Sequence, residues 1–236
     1  MNKSVKEPNK KLKILFIGNS ATYVNDIPQK LSFLASKAGY YLETKTIAKG
    51  GFKLSQHANS STEHGKNVFD EISKGYDIVF LQDNGNCISS DVMRTASKDA
   101  CEVLDSAIRA TGAKTYIYVR PPYGYDSFGC TPFEQCVEFD KLFSEISDRL
   151  DTKNAYINRA FAYAIKHLNY DLWGPDHAHT GEYGAYLATC VFFSTVFHTT
   201  STVLDPDGLS PKDAYALQKV ADKIVFDHWN FSDIES

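Results

Sequence analysis

The chain has 236 residues, of which 43% are hydrophobic, 23% charged and 13% aromatic. This composition supports a sizeable core and excludes a mainly disordered protein. The net charge is −4, from 25 basic and 29 acidic residues, so the basic excess typical of a nucleic-acid-binding protein is missing. No apolar stretch is long enough to predict a membrane span. The length favours one large domain, residues 12–236.

The N-terminus and the cysteines indicate the cellular compartment. Residues 1–11 carry positive charge with no apolar segment after them, which predicts a flexible, solvated tail and not a signal peptide. The five cysteines form no C-x-x-C pair, and an odd number spread thinly indicates reduced thiols. These two features together predict a cytoplasmic protein.

Short apolar runs alternate with amphipathic segments along the chain. The run 13–17 ends at Gly18 and predicts a strand buried on both faces. Further strands are predicted at 41–47, 76–81, 114–119 and 155–157. Helices are predicted between and after them, at 26–38, 91–111, 132–150, 160–168, 180–197 and 211–228.

This alternation predicts the fold class and the place of the site. Strand and helix in turn indicate a mostly parallel five-stranded sheet with helices on both faces, a flavodoxin-like three-layer α/β/α sandwich. Ligands bind such sheets beyond the carboxyl ends of the strands. The residues that directly follow each strand are the ones in which chemistry is expected.

Ser20 directly follows the first predicted strand, two residues after Gly18. A glycine permits a tight turn there, so the hydroxyl is either a nucleophile at the top of the sheet or the N-cap of the next helix. Gly18-x-Ser20 lacks the second glycine of the G-x-S-x-G elbow. The G-x-G-x-x-G fingerprint and the Walker A lysine are also missing, which disfavours dinucleotide and nucleotide-phosphate sites.

A serine nucleophile needs a base and a group that orients the base. Asp176 and His179 lie three residues apart in the loop 174–181. This spacing allows the carboxylate to bond one ring nitrogen while the other faces outward. His177 is the alternative base. A metal site built from Asp176, His177 and His179 is a further alternative, although no other cluster at ligand spacing supports a metal.

Ile14-Leu15-Phe16-Ile17-Gly18-Asn19-Ser20, together with Asp176-x-x-His179, resembles the SGNH (GDSL-type) hydrolase superfamily. That family carries four sequence blocks, and the resemblance implies a serine, histidine and aspartate triad here, Ser20, His179 and Asp176, with no metal or cofactor. It also implies an oxyanion hole formed by Ser20, by the block-two glycine and by the block-three asparagine. Gly51 matches the glycine, with Gly50 as the alternative.

The third block departs from the family pattern. Residues 82–87 read Gln-Asp-Asn-Gly-Asn-Cys where the family usually has Gly-x-Asn-Asp. Counting from the strand places Asn86 at the asparagine position, with Gln82 and Asn84 as rival donors. Asp83 is either a turn residue or an acid near the histidine.

Four residues are predicted to contact substrate: Asn19, Gln82, Tyr123 and Tyr125. The two tyrosines leave the fourth strand toward the site, where they either stack on a sugar, shape an acyl pocket or cover the core. The resemblance implies a serine esterase that works through an acyl-enzyme on a small-molecule ester. Short acyl esters such as O-acetylated carbohydrate are the first expectation. A lipase or thioesterase and a non-catalytic binding module are the alternatives.

Overall fold

The structure is a computed structural model that describes residues 11–234. Residues 1–10 of the predicted tail lie outside the described residues. All five strands are parallel and form one sheet in the order β2-β1-β3-β4-β5. Their bounds are β1 (Leu12–Gly18), β2 (Leu42–Ala48), β3 (Ile78–Leu81), β4 (Lys114–Val119) and β5 (Lys153–Tyr156).

Helices cover both faces of this sheet. They are α1 (Ser20–Tyr23), α2 (Ile27–Lys37), α3 (Leu54–His57), α4 (Glu63–Ile72), α5 (Asp91–Ala110), α6 (Pro132–Leu150), α7 (Ile157–His167), α8 (Glu182–Phe197) and α9 (Pro211–Val225). The strand order is that of flavodoxin-like sheets. The predicted three-layer α/β/α fold is confirmed.

The alternation of side chains in β1 explains the two cores. Ile14 and Phe16 pack on one face with α2, α7, α8 and α9, whereas Leu15 and Ile17 pack on the other with α4, α5 and α6. A strand buried on both faces must be apolar throughout, as this one is. Helix α8 is buried along most of its length, and its Phe192 ring contacts the Phe16 ring edge-on at 5.5 Å.

Several helices and strands differ in their bounds from the prediction. No element was predicted between residues 48 and 75, where α3 and α4 lie. Helix α8 begins at Glu182 and not at residue 180, helix α7 begins at Ile157, and β5 is Lys153–Tyr156. Among the described residues, no helix combines the length and the apolar character needed to cross a bilayer.

The sheet has a switch point at β1. The chain runs from β1 to β2 on one side and then crosses back to β3 on the other side of β1. The carboxyl ends of β1 and β3 therefore flank a crevice, which is where ligands bind in sheets of this type.

Candidate active site

Ser20 is the first residue of α1, directly beyond β1. The side-chain oxygen of Asn19 accepts the N–H of Ala21 at 3.1 Å, so Asn19 is the N-cap. The alternative in which Ser20 itself caps the helix is wrong. This leaves the Ser20 hydroxyl available for another partner, and its N–H, in the first turn, has no partner within the helix.

The structure brings Ser20, His179 and Asp176 together. The Oγ of Ser20 lies 2.8 Å from Nε2 of His179, and Nδ1 of His179 lies 2.6 Å from Oδ2 of Asp176. An ionised carboxylate only accepts hydrogen bonds. Nδ1 therefore carries the proton, and Nε2 is the acceptor for the serine hydroxyl.

The charge of Asp176 is stabilised locally. The hydrogen bond from the His179 ring lowers its pKa to about 2, together with the backbone N–H groups of His179 and Ala178. Both N–H groups donate to Oδ1 at 3.0 Å. The carboxylate thus holds the ring and the backbone of its own loop at the same time.

The loop that carries this pair is closed on itself. Trp173 and Thr180 form an antiparallel bridge, and the N–H of Gly174 donates to the carbonyl of His179 at 2.9 Å. The side-chain amide of Asn25 donates to the carbonyl of Thr180. Because Asn25 lies just beyond α1, this bond ties the loop to the segment that follows Ser20.

His177 is not at the serine. Its φ is +51°, its side chain is exposed, and its carbonyl accepts the N–H of Gly124 at 2.7 Å. Within residues 11–234, no group of three or more His, Cys, Asp or Glu side chains is arranged to hold a metal ion. Of the two histidines in this loop, the structure places His179 on Ser20.

Gly51 lies in a β-turn directly after β2. The N–H of Phe52 donates to the carbonyl of Lys49 at 3.0 Å, and Gly51, third in the turn, has a φ of +72°. A turn of this kind needs glycine at that position, which separates Gly51 from Gly50. In the described part of the chain, no hydrogen bond engages the Gly51 N–H. The Phe52 carbonyl accepts the Asn19 amide at 2.9 Å, which holds this turn beside Ser20.

In the third block, Asn84 lies beside Gly51, whereas Asn86 lies within a 3-10 helix. The side-chain nitrogen of Asn84 donates to the Gly51 carbonyl at 3.0 Å. The side-chain oxygen of Asn84 accepts the N–H of Asn86 at 3.0 Å and caps the 3-10 helix Gly85–Ile88. Asn86 is drawn into that helix, and its side-chain oxygen is enclosed without a partner. A carboxamide nitrogen has two hydrogens, so Asn84 keeps one for a ligand.

Gln82 and Asn19 need correction as predicted ligand contacts. Gln82 is 1% exposed; its oxygen accepts the Asn19 N–H and the Thr22 hydroxyl, both at 2.9 Å, and its nitrogen donates to the Asp83 carbonyl. Asn19 is equally buried, with its side chain bonded to Ala21 and Phe52. Both side chains hold the turn after β1 in place and are shielded from substrate.

Asp83 has a structural role that the sequence did not reveal. Its Oδ1 accepts the N–H of Leu54 at 2.8 Å and the N–H of Asn84 at 2.7 Å. Burial raises the pKa of this carboxyl. One oxygen thus connects the start of α3, just beyond Gly51, to Asn84, three residues beyond the end of β3. An acid two residues after a buried strand was the one feature of the sequence that indicated this role.

Tyr123 and Tyr125 form a stacked pair, with ring centroids 5.3 Å apart. Tyr125 is 45% exposed, whereas Tyr123 is half-buried. A Cβ added to Gly85 would lie 2.8 Å from the Tyr123 hydroxyl. Tyr123 therefore borders the segment after β3, and Tyr125 forms an outer surface.

No protein-family model matches the sequence, and no curated protein matches it either. Solved structures do match. A candidate SGNH hydrolase from Slackia heliotrinireducens has a TM-score of 0.68 and 24% identity, over 79% of this chain and 100% of that one. A DUF4886 family protein from Bacteroides uniformis has a TM-score of 0.78 and 17% identity, over 96% of this chain and 99% of that one.

An acetylxylan esterase, Axe2 from Geobacillus stearothermophilus, has a TM-score of 0.57 and 13% identity, over 82% of this chain and 95% of that one. These likenesses establish the fold. The chain has the three-layer α/β/α fold of the SGNH hydrolases.

Proposed function

We propose that this chain is a serine-dependent ester hydrolase of the SGNH superfamily, with Ser20, His179 and Asp176 as its triad. The observation that carries the proposal is the continuous hydrogen-bonded chain from the Ser20 hydroxyl through the His179 ring to the Asp176 carboxylate. Nucleophile, base and orienting group at these distances are the requirements for activating a serine.

In the first half of the reaction, His179 takes the Ser20 proton on Nε2 while Oγ forms a bond to the ester carbonyl carbon. The tetrahedral intermediate carries its negative charge on the former carbonyl oxygen. When it collapses, the bond to the alkoxy oxygen breaks and His179 gives its proton to the departing alcohol. The acyl group remains on Ser20.

In the second half, water replaces the alcohol. His179 accepts a proton from the water as its oxygen attacks the acyl carbon. The bond to Ser20 then breaks, Oγ takes the proton back, and the carboxylic acid leaves. Asp176 keeps the ring in the same tautomer throughout and stabilises its positive charge in both halves.

The developing oxyanion needs hydrogen-bond donors that are fixed in advance. We assign this role to the N–H groups of Ser20 and Gly51 and to the carboxamide of Asn84, in place of Asn86. Gly51 and Asn84 are joined directly, and the Asn19 side chain holds the Gly51 turn beside Ser20. The three donors therefore come from segments that follow three adjacent strands, β2, β1 and β3.

A fluorophosphonate probe tests this function. It labels an activated serine, so mass spectrometry should find the adduct on the peptide that contains Ser20, and Ser20→Ala should remove both the label and the hydrolysis of p-nitrophenyl acetate. Unchanged turnover in Ser20→Ala would refute the assignment. An unlabelled, inactive wild-type protein would instead favour a non-catalytic binding module.

For the substrate, we propose short acyl esters, with O-acetylated carbohydrate first. The support is the likeness to an acetylxylan esterase and the exposed tyrosine of the stacked pair near the site, since aromatic faces are suited to stacking. Acetylated xylo-oligosaccharides should be compared with p-nitrophenyl esters of increasing acyl length. Rates that rise steadily with chain length would favour a lipase or thioesterase.

A further inference from the structure

Arg120 is a buried cation next to the candidate active site. It directly follows β4 and is 3% exposed. Its Nε donates to the carbonyl of Pro121 at 2.8 Å. The guanidinium lies over the ring of Tyr123, 4.2 Å from the centroid, and 5.7 Å from the ring centroid of Phe139. Aromatic rings thus flank the cation.

Arg120 has no acidic partner within the part of the chain that the structure describes. No carboxylate there lies within ion-pair distance of it, and its two terminal nitrogens bond no other group. These nitrogens are also not among the fully enclosed polar atoms that lack partners, so the small exposed area of the residue reaches them. A guanidinium has five N–H donors, and leaving a buried charge unpaired is costly.

The strand register places Arg120 in line with the nucleophile. Ile17 pairs with Leu81, and Leu81 pairs with Ile117. Three residues further along the chain, beyond the ends of these strands, come Ser20, Asn84 and Arg120. Neighbouring strands are about 4.8 Å apart, so the ends of β1 and β4, from which Ser20 and Arg120 follow, are about 10 Å apart.

Gly85 permits the guanidinium to approach the segment after β3. A Cβ at this position would lie 2.5 Å from Nη1 of Arg120 and 2.6 Å from the Tyr123 ring. Any larger residue at position 85 would push these two side chains away. The cation is therefore held against the backbone next to Asn84, the proposed oxyanion donor.

We propose that Arg120 binds a carboxylate on the substrate, so that the preferred esters carry an anionic group several bonds away from the carbonyl that Ser20 attacks. The inference rests on the proposed function and narrows its substrate class. A planar guanidinium with free terminal N–H groups matches the two oxygens of a carboxylate, and the flanking rings keep that pair partly out of water. Neutral esters lack a group to fill this position.

Two esters of equal length test this preference. Mono-p-nitrophenyl adipate carries a terminal carboxylate, and p-nitrophenyl hexanoate has the same chain without it. We expect Arg120→Gln to lower kcat/KM for the adipate ester by about 10- to 100-fold, as loss of a charged hydrogen bond does, and to change that for the hexanoate ester by less than about threefold. The kcat/KM of Arg120→Lys for the adipate ester should lie between those of the wild type and Arg120→Gln. Lysine keeps the positive charge but lacks the paired N–H groups that match the two oxygens of a carboxylate.

Lys49→Gln is the matched control. Lys49 is an exposed cation two residues from Gly51, so this variant removes one positive charge near the site without touching Arg120. It should leave the ratio of the two kcat/KM values unchanged. An equal loss in Lys49→Gln would overturn the proposal in favour of general attraction of anions.

A binding measurement separates this inference from the proposed function. Free adipate should raise the Tm of the wild type and of Ser20→Ala, and should not raise that of Arg120→Gln, whether or not the protein hydrolyses esters. If Arg120→Gln does not fold, the effect of free adipate on the Tm of Arg120→Lys is compared with that on the wild type. The proposal is overturned if neither folded variant changes the ester preference or the response to adipate.

Discussion

The side-chain nitrogen of Asn84 lies 3.0 Å from the carbonyl oxygen of Gly51. This bond joins the two donors that we place in the oxyanion hole beside the Ser20 N–H. It also explains why Asn84, and not Asn86, is the side chain next to the glycine, because Asn86 is taken up by the 3-10 helix that Asn84 caps.

Replacing these two asparagines in turn tests the assignment. Asn84→Ala should lower kcat on p-nitrophenyl acetate by about 10²- to 10³-fold with little change in KM, as expected for a donor that acts in the transition state. Asn86→Ala is the matched variant and should keep most of its kcat. Steady-state kinetics on both variants measure this difference. A larger loss of kcat in Asn86→Ala than in Asn84→Ala would indicate that Asn86 is the oxyanion donor.

Gly51→Ala should affect both stability and rate. The position has a φ of +72° with no atom within 4 Å of an added Cβ, so the cost is backbone strain of about 1 kcal/mol. Relief of that strain should turn the Gly51 N–H away from the oxyanion and lower kcat.

Gly75→Ala is the control for this change. Gly75 has a φ of +81° and the same open space around an added Cβ. It precedes β3, however, and so lies at the amino end of that strand, away from the candidate site at the carboxyl ends. Urea unfolding should show similar decreases in the free energy of unfolding for the two variants, whereas only Gly51→Ala should lose activity. Full activity in Gly51→Ala would remove this N–H from the oxyanion hole.

Asp176→Asn should disable the base without unfolding the protein. An amide does not stabilise the charged His179 ring and disturbs the tautomer, so we expect kcat to fall by at least about 10²-fold. The side chain is 55% exposed. The stability that its lowered pKa provides is present above about pH 4 and is lost as the pH falls toward 2, and solvent screening keeps it small.

Asp171→Asn is a control from the same part of the chain. The Asp171 carboxylate accepts the N–H of Trp173 at 3.2 Å, much as Asp176 accepts backbone N–H groups, and our assignment gives it no role in the triad. Its kcat should be that of the wild type. A comparable loss in both variants would indicate a disordered loop and not a lost orienting group.

Asp83 should show a stability change that depends on pH. Because burial raises its pKa in the folded protein, the folded state holds the proton more tightly than the unfolded chain. The wild type should thus lose stability as the pH rises from about 4, where a free aspartate ionises, toward the raised value. Asp83→Asn lacks this titration and still offers an oxygen to Leu54 and Asn84.

The free energy of unfolding of Asp83→Asn, relative to the wild type, should accordingly rise between acidic and neutral pH in urea titrations. Asp83→Ala removes the acceptor and should be destabilised at both ends of that range, with a lower kcat because the Gly51 and Asn84 segments separate. A constant difference between Asp83→Asn and the wild type across the range would contradict this account.

The sheet was predictable because its strands are short apolar runs between helices with clear periodicity. Helices α3 and α4 were missed for a physical reason. Within α4 only Gly65, Val68 and Ile72 are buried, and α3 has four residues. Helix α4 has ten residues, so both helices are shorter than the window of about 11 to 18 residues over which helical periodicity is recognised.

In the candidate site, contacts between residues close in the sequence could be predicted, whereas contacts between residues far apart in the sequence could not. Asp176 and His179 could be paired because three residues separate them within one loop. Gln82 and Asn19 could not be recognised as structural, since they bond each other across 63 positions. The count to Asn86 assumed an extended chain, whereas the chain forms a 3-10 helix directly after Asn84.

The bond from the Asn25 amide to the Thr180 carbonyl joins two connecting segments outside the sheet. Neither group takes part in the proposed chemistry, yet the bond sets how far the base can drift from the nucleophile. The tyrosine loop is tied to the same segment a second time, since the N–H of Gly124 donates to the carbonyl of His177 at 2.7 Å. Engineering of substrate preference can for this reason begin with the exposed side chain of Tyr125, while both of these hydrogen bonds are left untouched.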